Sequence, residues 1–231
     1  MANICTTLDC EVLTTNPKLP LGSIRGLIIH QDWDDRFIDI IRQNHIQSIN
    51  LSYGFHMPNI DFMEDLKGLG IRDVVIQYPI IKDLRPLEFL KDDLECLVLD
   101  TPFNAAPDFS EFSKLWCVGL AWRAAARSLL RSKTITDFSI EKGRFKNIEP
   151  FVDMQQLRVL GFTWGTLETL RGIEKLPRLE EFSVALCRSL RSLDGIQNAP
   201  RLTKEKTVIT KCKQITEDTP YAEYVTFTYL T

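Results

Sequence analysis

Six cysteines (Cys5, Cys10, Cys96, Cys117, Cys187 and Cys212) and three histidines (His30, His45 and His56) are the residues of this 231-residue chain best suited to ligate a metal or attack a substrate. A zinc site draws on tightly spaced Cys or His pairs. Here no two cysteines form C-x-x-C, the shortest spacing is Cys5 to Cys10, and the histidines lack i, i+4 pairing with a nearby acid. Such scattered thiols read as reduced, mostly buried small hydrophobes, so neither a metal nor a disulfide framework is expected. His30 has Asp32, Asp34 and Asp35 close by, but no nucleophile accompanies it. No P-loop, dinucleotide fingerprint, nucleophile elbow or supported pair of catalytic carboxylates appears. The sequence therefore predicts no enzyme and no cofactor.

Composition narrows the class. The chain is 44% apolar and 26% charged, enough to bury a core and stay soluble. Twenty-eight basic residues stand against 31 acidic ones, a net charge of −3, which speaks against nucleic acid as a partner. No apolar run approaches the roughly 20 residues of a membrane-spanning helix. The opening Met-Ala-Asn-Ile-Cys-Thr has neither a basic nor an apolar signal region. These readings give a cytoplasmic protein without a membrane partner, monomeric when unbound.

One pattern recurs along the chain: apolar, two residues, apolar, one residue, apolar. It appears as Ile24-Leu27-Ile29, Ile46-Ile49-Leu51, Ile71-Val74-Ile76, Leu94-Leu97-Leu99, Leu115-Val118-Leu120, Ile135-Phe138-Ile140, Leu157-Leu160-Phe162 and Leu179-Phe182-Val184. A ninth, weaker copy begins at Leu202. The intervals from residue 24 to residue 202 are 22, 25, 23, 21, 20, 22, 22 and 23. Second-half ticks follow the triplets, as in Leu167, Leu170, Ile173 and Leu176, then Leu190, Leu193, Ile196 and Ala199. Segment 170–179 matches segment 193–202 at six of ten places.

On these repeats the chain resembles the leucine-rich-repeat family, most closely its 22-residue internalin and SDS22-like subclass. The resemblance implies an α/β solenoid: a curved parallel β-sheet on the concave face, with short helices and turns on the convex face. Three residues after the third tick the family usually carries Asn or Cys. This chain has Asp32, Gly54, Pro79, Pro102, Arg123, Gly143, Gly165 and Cys187 there, so the asparagine ladder is missing. Residues 1–23 read as an N-terminal cap, 24–210 as eight or nine repeats, and 211–231 as a C-terminal cap strand, all one continuous domain.

The elements follow from periodicity. Each triplet alternates inward and outward, as a strand does. Asp34 to Asn44 reads as a helix with Phe37, Ile40 and Ile41 on its apolar face, and Arg123 to Ser132 as a second, favoured by three alanines. Prolines 86, 107, 150, 177 and 200 fall in the return segments. A strand is expected near Leu8 to Leu13, and a closing strand in Tyr221 to Leu230.

Residues between and just after the inward ticks must then line a concave groove. Three such positions in each of eight repeats include Asp73, Asp100, Asp137, Glu141 and Glu181, and no Lys or Arg. One step further lie Gln31, Tyr53, Tyr78, Thr101, Trp122, Lys142, Trp164 and Leu186, half of them Tyr or Trp. Exposed aromatic rings beside small residues are common interface anchors. The expected partner-binding set is Tyr53, Tyr78, Trp122, Trp164, Asp73, Asp100, Asp137, Glu141 and Glu181. The partner expected is a basic protein, and an inhibitor or immunity protein neutralising a basic toxin would suit the charge. A regulatory adaptor, which the SDS22-like resemblance implies, is the alternative. A thiol enzyme using Cys96 and Cys117, which share one column of adjacent repeats, is the remote one.

Overall fold

The computed structural model describes residues 3–4, 8–13, 25–77 and 80–228. The second and third ticks of all eight triplets lie on strands. They are β3 (Gly26–Ile29), β4 (Ser48–Leu51), β5 (Asp73–Ile76), β6 (Cys96–Leu99), β7 (Cys117–Ala121), β8 (Asp137–Glu141), β9 (Val159–Thr163) and β10 (Glu181–Ala185). Before them come β1 (Asn3–Ile4) and β2 (Cys10–Leu13), and after them β11 (Thr207–Thr210) and β12 (Thr226–Thr228). Every described tick of the eight triplets is at most 3% exposed. Ile24 lies outside the described residues.

The chain divides into two compact units, Met1–Val118 with Arg123–Ser128, and Gly119–Trp122 with Leu129–Thr231. In the first, β1 pairs antiparallel with β2 and β2 with β3, which gives the N-terminal end a different chemistry from the repeats. From β3 to β6 all pairing is parallel and in register, Leu27 abreast of Ile49, Ile49 of Val74, and Val74 of Leu97. In the second unit β8 to β12 pair in parallel, with Phe138 abreast of Leu160 and Leu160 of Phe182. Strand β7 contributes its first two residues to the first unit and the rest to the second. In-register parallel pairing stacks equivalent residues on one another, so each repeat completes the burial of the next.

The return segments are mostly short 3-10 helices. Among the described residues only the segment after β3 forms an α-helix, α1 (Arg36–Asn44), with Phe37 and Ile41 buried. The helix expected over Arg123 to Ser132 is instead a 3-10 helix, Ala124–Arg131. A 3-10 helix rises about 2.0 Å per residue against about 1.5 Å for an α-helix. The repeat from Leu115 to Ile135 has only 20 residues, the fewest of the eight, and the tighter helix spans the return with fewer of them. Pro86 and Pro150 open 3-10 helices, where their missing N–H leaves no bond unmade.

The ninth copy is displaced by two residues. Thr207 and Ile209, abreast of Phe182 and Val184, point inward, and Leu202 is only half-buried. The tick at Thr207 is polar, and its hydroxyl is satisfied by donating to Thr203 O at 2.7 Å. The closing strand expected in Tyr221 to Leu230 is β12, with Phe227 abreast of Ile209.

Other groups replace the asparagine ladder. In the second unit Cys187 Sγ accepts the backbone N–H groups of Gly165 and Leu167, and Cys212 Sγ that of Cys187. Burial pushes the Cys187 thiol up to about 11, as befits a structural group. In the first unit Asp32 Oδ1 accepts the His56 N–H at 2.8 Å. Gly54 is required by close approach, since a Cβ there would stand 1.9 Å from His30 O.

Two stability tests follow. Leu160 is fully buried between Phe138 and Phe182, so Leu160→Ala should cost about 2–5 kcal/mol in denaturant titration through the cavity it leaves. Gly54→Ala should cost about 3 kcal/mol or more, because overpacking against fixed backbone cannot relax as a side chain does.

Candidate functional site

On each strand the inward ticks force the intervening residues outward, and the two units use that outward face differently. In the second unit it is open. Ser139, Glu141, Glu181 and Ser183 are exposed, while Val159, Gly161 and Thr163 between them are half-buried. Glu141 is abreast of Thr163. One residue beyond Thr163 stands Trp164, 53% exposed. Its backbone is left-handed, φ 54°, and its N–H donates to Ala185 O at 3.0 Å. Lys142, Leu186 and Lys211 adopt the same conformation at the equivalent position of their repeats. A non-glycine residue in that region costs roughly 1–2 kcal/mol, and here Lys142, Trp164 and Leu186 are each held by a hydrogen bond to the next strand. Nothing in the sequence marks these positions, because none carries the glycine or asparagine that usually signals a left-handed backbone.

Trp122 is placed differently. It is half-buried, and its ring meets Phe145 edge-on with centroids 4.7 Å apart. Phe145 continues to Phe151 at 4.8 Å, Phe151 to Phe162 at 5.5 Å, and Phe162 to Phe182 at 6.3 Å. Trp122 thus extends the aromatic core of the second unit rather than standing clear of it. In the first unit Tyr53 is 70% exposed and Asp100 is exposed. Tyr78 lies outside the described residues.

The acidic groove residues have unequal surroundings. Glu141 is exposed and open. Asp137 is half-buried and accepts a hydrogen bond from Thr136 Oγ1 at 2.6 Å. Glu181 pairs with Lys206 Nζ at 2.6 Å. The position just before the strands, one step from the groove positions, carries Arg25, Arg72 and Arg158, and also Glu95 and Glu180. Arg72 grips Glu95 through two bonds of 2.7 Å, and Arg158 reaches Glu180 at 2.7 Å. Lys206 beside Glu181 and Arg158 near Asp137 make the face less acidic than its groove positions alone suggest.

Asp73 departs furthest from expectation: it is fully buried, not a groove charge. It is abreast of Ser48 and Cys96, and Ser48 Oγ donates to its Oδ2 at 2.9 Å. Its Oδ1 is buried with no hydrogen-bond partner. Burial pushes its carboxyl up to about 6, against hydrogen bonds from Ser48 and Cys96 that favour the charge. Cys96 is fully buried too, and its thiol is pushed far up by hydrogen bonding with Cys117, then by burial and the negative charges beside it. A free Cys96 thiolate is thus strongly disfavoured, the opposite of what a catalytic nucleophile needs. Among the described residues no cluster of three His, Cys, Asp or Glu is arranged to hold a metal ion, and no helix is long and apolar enough to cross a membrane.

The buried carboxylate gives a signed pH dependence. Its folded value, about 6, lies above the 3.8 of the free group, so the folded state binds this proton more tightly. The stability it contributes is complete below about 3.8 and is lost as pH rises through about 6. The folded chain should therefore gain stability from pH 7.5 down to 5, and Asp73→Asn should flatten that slope. At pH 7.5 the same substitution should stabilise by about 3 kcal/mol, the worth of some two pH units. Urea titrations of both proteins across that range read the effect.

No family model and no curated protein sequence matches the chain. Among solved structures, internalin C2 from Listeria monocytogenes superposes with a TM-score of 0.59 at 14% identity, over 90% of this chain and 81% of that one. Internalin F from the same organism gives 0.46 at 16% identity, over 76% of this chain and 50% of that one, a weaker match that adds no weight. At such identity the likeness concerns architecture alone: the chain has the fold of a leucine-rich-repeat solenoid, and its structural neighbours are internalins.

Proposed function

We propose that the chain is a non-enzymatic protein-binding module whose contact surface is the outward strand face of the second unit, centred on Trp164. The observation that carries this reading is the indole itself, half in water on a backbone held left-handed by a main-chain hydrogen bond. A rigid aromatic side chain offers a large area at little entropic cost, which is why Trp dominates interface energetics. The half-buried Gly161 and Thr163 keep the neighbouring surface low, leaving room for a partner around the ring.

Charge selects the partner class. Glu141 carries acidity without a basic side chain paired to it among the described contacts, whereas Arg158 acts on Asp137 and Glu181 is compensated by Lys206. We read this as a surface for a basic protein, and an inhibitory or immunity role against a basic toxin as the form of binding that best suits it. The expected contributions of Trp122 and Trp164 now differ. Trp164 is the anchor; Trp122 stabilises the fold.

The test is affinity capture with the full chain from its native cells, followed by kinetics with the recovered protein. Trp164→Ala should weaken binding by about 2 kcal/mol or more, mainly through the off-rate. Glu141→Gln should slow association and flatten its salt dependence. Trp122→Ala should lower thermal stability more than affinity, and Lys175→Ala should change neither. Affinity that survives Trp164→Ala with the fold intact refutes this surface.

A further inference from the structure

A line of buried polar groups crosses the first unit on the outward side of its strands, and the proposed binding surface does not use it. Ser48, Asp73 and Cys96 open β4, β5 and β6 and stand abreast. Cys117 opens β7 and continues the line: its N–H donates to Glu95 O at 3.2 Å, just as the Cys96 N–H donates to Arg72 O at 3.0 Å and the Asp73 N–H to Gln47 O at 3.1 Å. The side chains interact as well. Ser48 donates to Asp73 Oδ2 at 2.9 Å, and Cys96 stands close enough to Asp73 and to Cys117 for both to act on its thiol. Ser48, Asp73 and Cys96 are at most 1% exposed, while Cys117 is half-buried. Both thiols are free in this structure.

We infer that Cys96 and Cys117 are a redox modification site, forming a reversible disulfide across β6 and β7 when the protein meets a low-molecular-weight disulfide, with Asp73 receiving the Cys96 proton. Neighbouring strands run about 4.8 Å apart, inside the roughly 4.4–6.8 Å window between α-carbons that a disulfide accepts. The β-carbons must come within about 3.5–4.5 Å, so closure draws the two strands together and leaves a strained bond that reductants open readily.

The chemistry balances in two exchanges. Cys117, as its thiolate, attacks the oxidant RSSR; a Cys117–S–S–R bond forms, the S–S bond of the oxidant breaks, and RS⁻ leaves with the electron pair. Cys96 sulfur then attacks the Cys117 sulfur and expels a second RS⁻. The Cys96 proton passes to Asp73 as that bond forms and ends on the departing thiolate. Two protein thiols and RSSR thus become one protein disulfide and two RSH. A carboxylate raised to about 6 is a stronger base than an ordinary aspartate, and Asp73 Oδ1 has no competing donor. Direct transfer matters because a free Cys96 thiolate is so disfavoured.

The experiment treats the folded, full-length chain with glutathione disulfide at pH 7.5, quenches with acid, alkylates, and maps thiols by mass spectrometry. The expected product is a Cys96–Cys117 linkage, two hydrogens lighter than the dithiol and reversed by dithiothreitol. Cys96→Ser should stop at the Cys117–glutathione mixed disulfide. Asp73→Asn, expected to fold at least as stably as the parent at this pH, should leave the first exchange unchanged. It should slow the second about 100-fold, the low end for loss of a general base. It should also abolish the fall in that rate as pH drops through about 6. The inference is overturned if the parent chain accumulates the mixed disulfide without closing, keeps both thiols alkylatable, or closes only in urea. An Asp73→Asn rate equal to the parent's removes Asp73 from the mechanism.

Discussion

Everything in this molecule depends on the in-register pairing of parallel strands, which puts Leu27 abreast of Ile49 and Leu160 abreast of Phe182. A single repeat of about 22 residues has an apolar side it cannot cover by itself. Stacking the next repeat at the same register covers it, and a slip of one residue would turn every inward side chain outward. Hence the triplet spacing is rigid, whereas the returns vary freely: an α-helix in one repeat, 3-10 helices in others. Even the polar tick Thr207 is accepted, because its hydroxyl finds a carbonyl within its own return segment.

That constraint also decides which groups remain for chemistry. Once the inward positions are committed to the core, equivalent outward residues form columns, and their fate depends on their neighbours within the column. Ser48, Asp73 and Cys96 form a buried line linked side chain to side chain, so their polarity is turned on one another. In the second unit Ser139, Glu141 and Ser183 stay in water. The step beyond each strand adds the left-handed residues, and there the same backbone conformation presents Lys142, Trp164 and Leu186 in turn. Binding potential therefore resides where this geometry meets an aromatic side chain that the core has not absorbed. Trp164 meets that condition; Trp122, drawn onto Phe145, does not.

Asp73 shows the same logic under strain. A carboxylate with one oxygen buried and unpartnered lowers stability at neutral pH, and stacking alone does not require it. A Ser or Asn would suit a column between Ser48 and Cys96. Its presence beside two neighbouring thiols is what gives the line a chemical rather than a purely structural character.

The sequence alone determined the architecture, because the repeat is a periodic signal: each triplet independently reports the same inward face, and their regular spacing leaves one way to stack them. It also determined the main helix, from Phe37 and Ile41 at helical spacing, and the structural nature of Cys187, from its slot after the third tick. The site was legible only as columns, a set of residues facing one way. Whether Trp122 folds down while Trp164 stands out, whether Glu181 meets Lys206, and whether Asp73 faces water were decided by tertiary contacts from residues 23 to 25 positions away. Those contacts depend on side-chain length and rotamer in the neighbouring repeat, which a pattern of apolar ticks does not encode. The charged column just before the strands is illegible in the sequence for a related reason. Its arginines are paired across strands, and only the register shows which acid each one neutralises.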